Sequence, residues 1–160
     1  MDRLNDLDLK TFIVNTMIEV FDTMLSMDVE PTDVVPKSSL EGIRIVGAVS
    51  FVGKVTGRIS IQLSQEFARV ITAAMLGMEL EEIEGDKEVN DVIGEVTNMV
   101  GGNLKSRLCD AGLNCVLSIP STTSGSDFKI ESKGWTRHER FAFKSRNHIA
   151  FVEVFMKTGS

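Results

Sequence analysis

Residues 87–111 hold the longest run of helical periodicity in the chain, and any fold it adopts must be built around that element. In the stretch EVNDVIGEVTNMVGGNLKSRL, Val89, Val92, Ile93, Val96, Val100 and Leu104 fall within one stripe at about 100° per residue. That stripe must face a core. The opposite stripe is Asp91, Glu95, Asn98, Gly102 and Lys105, with successive spacings of four, three, four and three. Glu95 and Asn98 therefore point the same way from adjacent turns, able to touch one external surface. A solvated helix face has the same pattern.

Three glycines in this helix are harder to explain as solvated face. Gly94, Gly101 and Gly102 are expected on or beside its exposed half. Each costs about 1 kcal/mol relative to alanine in a helix interior. Close approach of another backbone would justify them, because glycine lacks the side chain that would hold it off. Packing against a neighbouring helix of the same domain, such as the N-terminal one, would also do so, and periodicity does not separate the two.

Around this helix the chain alternates in character. Residues 7–27 carry Leu7, Phe12, Ile13, Met17, Val20, Phe21, Met24 and Leu25 at helical spacing. Pro31 and Pro36 then mark an extended connector. Ile43, Ile45, Gly47, Val49 and Phe51 alternate along one strand, and Ile59, Ile61 and Leu63 mark a second. Gly53-Lys54 between them predicts a hairpin. Ser64 is placed to cap a helix through Phe67, Val70, Ile71, Ala74 and Met75 that stops at Gly77. After the acidic loop 79–86 and the long helix come strand-like pieces at 115–119, 140–144 and 149–156. The expected fold is a single α+β domain, residues 1–160, ordered α-β-β-α-α-β-β-β, with an antiparallel sheet built from hairpins and helices on one side.

Composition narrows the function classes. With 42% hydrophobic and 25% charged residues, the chain matches a soluble globular protein. It has no apolar run long enough for a membrane span, and the charged start MDRLNDLDLK is no signal peptide. A net charge of −6 without a Lys/Arg cluster argues against nucleic acid. Cys109 and Cys115, with His138 and His148 far from both, offer no metal-ligand spacing, so no metal and no cofactor of its own is expected. Two such thiols suit the reducing cytoplasm. Trp135, Arg137, His138 and Arg140 suggest a basic-aromatic patch or, more simply, an edge strand with a charged outer face.

The pattern Asp91-x-x-x-Glu95-x-x-Asn98, followed by Pro120 twenty-two residues after the Asn, resembles the signature of the CheC/CheX/FliY phosphatases. The long Asn-to-Pro interval and the element order are similar to CheX. The resemblance implies hydrolysis of the aspartyl-phosphate of a phosphorylated CheY-type response regulator, whose own Mg2+ and lysine serve the chemistry. It further implies that Asn98 holds a water in line with phosphorus while Glu95 contacts the regulator's lysine. Asp91, Gly94, Gly101, Gly102 and Lys105 would form the rest of the partner surface. No nucleophile from this chain is then needed. The same fold could instead dock a regulator without hydrolysis, as a flagellar-switch or scaffold module, or act on a receiver domain outside chemotaxis.

Two further expectations follow. Asn15, Glu19 and Asp22 on the first helix repeat the spacing of Asp91, Glu95 and Asn98, either as a decayed second site or as an ordinary acidic face. The resemblance also implies a homodimer paired through strands. Residues 149–156, apolar on both faces, are either the edge so covered or a central strand of one sheet.

Overall fold

The computed structural model describes residues 3–35, 42–125 and 134–159. The helices are α1 (Arg3–Asp6), α2 (Leu9–Leu25), α3 (Gln65–Leu76) and α4 (Asp86–Asp110), with a single 3-10 turn at Leu80–Glu82. The strands are β1 (Glu30–Pro31), β2 (Arg44–Gly53), β3 (Val55–Ser64), β4 (Cys115–Leu117), β5 (Ser121–Gly125), β6 (Arg137–Ser145) and β7 (His148–Thr158). All seven join one sheet in the order β1-β6-β7-β3-β2-β4, with β5 also pairing β2, and every ladder is antiparallel. The α+β architecture with an antiparallel sheet is therefore as expected, enlarged by α1, β1 and β5. Pro31 lies in β1, and Pro36 lies outside the described residues.

Local sequence explains the boundaries. The Asp8 carboxylate accepts the Thr11 amide and hydroxyl and starts α2; those hydrogen bonds hold its pKa below the usual aspartate range. Ser64 Oγ accepts the Phe67 amide at 3.0 Å and starts α3, which stops at Gly77 in the left-handed region, φ 65°. Strand β2 alternates cleanly: Ile45, Gly47, Val49 and Phe51 turn toward the helices and are buried, while Ile43 precedes the strand and is exposed.

Strand β7 is central, not an edge. It pairs β3 over nine residues and β6 over nine. Ala150, Val152, Val154 and Met156 face the helices and Phe151 and Phe155 the other side, so both faces are apolar because both are covered. Its composition is no argument for a dimer edge.

The face away from the helices is roofed by two arginines and a histidine. Arg58 and His138 lie over Phe155, Arg140 lies over Phe151 at 4.1 Å, and His138 Nε2 meets Glu153 Oε2 at 2.7 Å. Arg137 turns the other way and donates to the Leu4 and Leu7 carbonyls. Strand β6 pairs β7 on one side and, among the described residues, only the two residues of β1 on the other, so most of its length is an edge with a charged outer face.

Candidate functional site on helix α4

Helix α4 is held on three sides. Beneath it, Val92, Ile93, Val96, Val100, Leu104 and Leu108 are buried in the core. Two close contacts set its height over β2. Gly47 leaves room for the Thr97 side chain, and Gly101 leaves room for Val49, where an alanine Cβ would stand 2.5 Å from Val49 Cγ1.

On its second side α4 is clamped to α2. Glu19 accepts from Asn103 Nδ2 at 2.9 Å and from Arg107 at 3.1 Å. Thr16 Oγ1 donates to Asn103 Oδ1 at 2.8 Å, and Arg107 Nε donates to the same oxygen at 2.8 Å. The Glu19 of the first-helix echo is therefore engaged inside the domain, while Asn15 and Asp22 are exposed.

The third side is the edge strand of the sheet. Leu117 of β4 lies 4.0 Å from where a Cβ on Gly102 would be, and Thr122 of β5 lies 3.2 Å from the equivalent point on Gly94. Thr122 Oγ1 also donates to the Asn90 carbonyl at 3.2 Å.

The fourth side is open, and Glu95 and Asn98 are on it. Glu95 is exposed, Asn98 is half-buried, and neither forms a hydrogen bond or ion pair to a described residue. Asp91 is exposed on the same stripe, and Lys105 and Gly102 are half-buried. The two remaining glycines require a correction. Gly94 and Gly101 are buried against β5 and β2, so they serve contacts within the domain and not a partner's surface. A stripe boundary drawn by periodicity put them on the wrong side, because α4 is covered over more of its circumference than one sheet face would require.

Chemically, the open face offers one carboxylate and one neutral amide a single turn apart, on a helix that cannot easily shift. An amide both donates and accepts, so it can orient a water; a carboxylate can meet a cation. Cys115 is buried, and desolvation, reinforced by neighbouring Cys109, pushes its thiol up, which makes it a poor nucleophile. Among the described residues no group of three or more His, Cys, Asp and Glu is arranged to hold a metal ion. No helix among them is long and apolar enough to cross a membrane.

Residues 45–144 match the family model for the chemotaxis phosphatase CheX. The chain belongs to that family. The CheY-P phosphatase CheX of Thermotoga maritima is 33% identical over 129 residues, covering 76% of this chain and 81% of that protein. Among solved structures, chemotaxis protein CheX from Vibrio vulnificus superposes with a TM-score of 0.79 at 26% identity, over 94% of this chain and 97% of that one. CheX in the CheX–CheY–BeF3–Mg2+ complex from Borrelia burgdorferi shares the fold, with a TM-score of 0.68 at 21% identity, over 94% and 98%. The CheX-family region takes in β3, α3, the whole of α4, β4 and β5, and all but one residue of each of β2 and β6.

Proposed function

We propose that this protein is a CheY-P phosphatase that uses Asn98 and Glu95 to hydrolyse the aspartyl-phosphate of a phosphorylated response regulator. The observation that carries the assignment of residues is the pair itself: two unengaged polar side chains, one turn apart, on a helix anchored on its other three sides.

The chemistry divides between the partners. The receiver domain brings the phosphoryl group and the Mg2+ that neutralises it, so the metal is part of the substrate and no cofactor of this chain's own is invoked. Asn98 holds a water in line with phosphorus, accepting one of its hydrogens and orienting a lone pair. The water oxygen forms a bond to phosphorus as the bond to the aspartyl oxygen breaks. The aspartate leaves as carboxylate, and the water's proton ends on inorganic phosphate. An amide in that position resembles the glutamine that positions water in GTPases, and its neutrality lets it approach the anion. Glu95, repelled by phosphate, is better used on a lysine of the receiver, where a charge-assisted hydrogen bond orients the two proteins. Asp91 and Lys105 extend that contact along the stripe.

The family membership and the exposure of the stripe support this reading over a docking module without activity. A panel of phosphorylated receiver domains, assayed for phosphate release, tests it and identifies the substrate. Glu95→Ala should weaken binding of that receiver roughly tenfold and slow turnover, with Glu95→Gln intermediate. Unchanged binding by Glu95→Ala would remove its orienting role. We further assign the protein to the cytoplasm, where its free cysteines stay reduced, and, on its resemblance to CheX alone, to a homodimer. Sedimentation equilibrium should give twice the 17.6 kDa chain mass, and a single-chain mass would end the dimer assignment.

A further inference from the structure

Strands β4 and β5 are two halves of one edge strand, interrupted by a bulge. Leu117 pairs with Phe51 and Ser121 with Ala48. Between those pairs β2 has two residues, Val49 and Ser50, and the edge has three, Ser118, Ile119 and Pro120. Ser118 still meets Ser50, its amide donating to the Ser50 carbonyl at 2.8 Å and its Oγ accepting the Ser50 amide at 3.0 Å. Ile119 and Pro120 are therefore the two residues set against Val49. Proline suits the position, since it has no N–H to offer a ladder.

The bulge falls beside the site. Leu117 lies against Gly102 and Thr122 against Gly94, and these two glycines are four residues to either side of Asn98 on the same helix stripe. The corner between Leu117 and Thr122 must then run alongside the turn that carries Asn98. Val49, opposite the bulge, is the residue packed on Gly101. At that corner Ile119 is 90% exposed, more than any other exposed large hydrophobic residue among those described. A single exposed isoleucine means little on a surface. One displayed at a bulge in the strand that packs along α4, between the contacts to the two glycines that flank Asn98, is different, because it is placed where a protein reaching Asn98 could also meet it. Val52 and Val116, also exposed, face each other on the side of the sheet away from the helices and form no part of this corner.

We infer that Ile119 is a docking residue for the phosphorylated receiver domain, entering an apolar recess next to the receiver's phosphorylation site while Pro120 holds the corner rigid. This rests on the phosphatase reading and adds a contact to it: Asn98 acts on the phosphoryl group and Ile119 supplies affinity. The occupant is the receiver and not a second copy of this chain because the corner lies between the two strand contacts, at Gly94 and Gly102, that flank Asn98 on α4.

The test is a split between binding and turnover, using the receiver that the protein dephosphorylates and, for binding, the same receiver loaded with beryllofluoride and Mg2+. Ile119→Ser should raise Kd roughly tenfold or more and KM with it, leaving kcat within about twofold. Ile119→Leu should restore binding to within about threefold. Asn98→Ala should show the opposite split, low kcat with Kd nearly unchanged. If Ile119→Ser leaves Kd unaltered while Asn98→Ala is inactive, the docking role is wrong and the phosphatase assignment stands. If Asn98→Ala retains full activity, the phosphatase assignment of Asn98 fails, whatever Ile119 does. If Ile119→Ser changes the sedimentation mass of the protein, the corner is a self-association surface and the inference is overturned.

Discussion

Helices α2 and α4 carry the same polar spacing, but its middle carboxylate is engaged within the domain on α2 and unengaged among the described residues on α4. On α2, Glu19 accepts from Asn103 and Arg107 and is used to hold the two helices together. On α4, Glu95 and Asn98 have no such partner among the described residues and lie on the open side. The spacing of side chains along a helix determines which of them share a face. Whether that face can act on another molecule depends on what the neighbouring helix brings to it. Here the engaged copy helps to make the free copy useful, because the clamp around Glu19 restrains the helix from which Asn98 projects.

The largest expected break of this symmetry is Asn98→Ala, set beside Asp22→Ala. The first should lower kcat about 100-fold or more, the scale of losing one positioned catalytic hydrogen bond; the second should leave it unchanged. Equal losses from both in a phosphate-release assay would show that the helices are equivalent after all. Next comes Gly101→Ala. Helix propensity favours it by about 1 kcal/mol, but the new Cβ would collide with Val49, whose branched side chain is buried and has little freedom to turn. Overpacking of that kind costs about 1–3 kcal/mol, so a net loss of about 1 kcal/mol is expected in urea unfolding. A gain in stability would mean that α4 rides more loosely on β2 than described.

Glu19→Ala separates structural from catalytic roles within the matched pattern. Glu19 is more than half exposed, so the loss should be modest, about 0.5–1 kcal/mol after solvent screening, with kcat kept within about threefold. A collapse of kcat without loss of stability would instead place Glu19 in the reaction. The smallest effect is expected from Gly102→Ala, where a Cβ meets only ordinary contact with Leu117. Stability should rise by about 0.5–1 kcal/mol. Binding of the receiver should weaken a few-fold if its backbone passes close to this residue, and unaltered binding would leave the glycine without a docking role.

Much of this was legible before any coordinates. The helical stripe of α4, the β2–β3 hairpin, the Ser64 cap and the Gly77 stop rest on contacts within a few residues, which sequence displays directly. The pairing of Glu95 with Asn98 on one side of α4 is legible for the same reason. What escaped depends on distant partners. Strand β5, Ser-Thr-Thr-Ser-Gly, has neither apolar alternation nor apolar bulk, and it is held by its backbone against β2. Glu19 is engaged by residues more than eighty positions later. Gly94 was misplaced because the third wall of α4 is this same polar strand, and Gly101 because β2 passes so close beneath the helix. Strand β7 looked equally like an edge or a centre, since being apolar on both faces records that it is covered and not by what.

The central place of β7 also bears on how the molecule comes into being. It is the strand that joins the β2–β3 hairpin to β6, and it is translated after every other strand of the sheet. While the ribosome is still delivering residues 148–158, β3 has an unpaired ladder, and β6 lacks the neighbour that ties it to the rest. Until those residues pair, the β2–β3 hairpin keeps an open apolar edge and the sheet is not continuous. Completion waits for a pairing between segments about a hundred residues apart, the kind of distant closure that slows folding. An unpaired strand edge and exposed apolar surface of that kind are what make incompletely folded chains prone to aggregation.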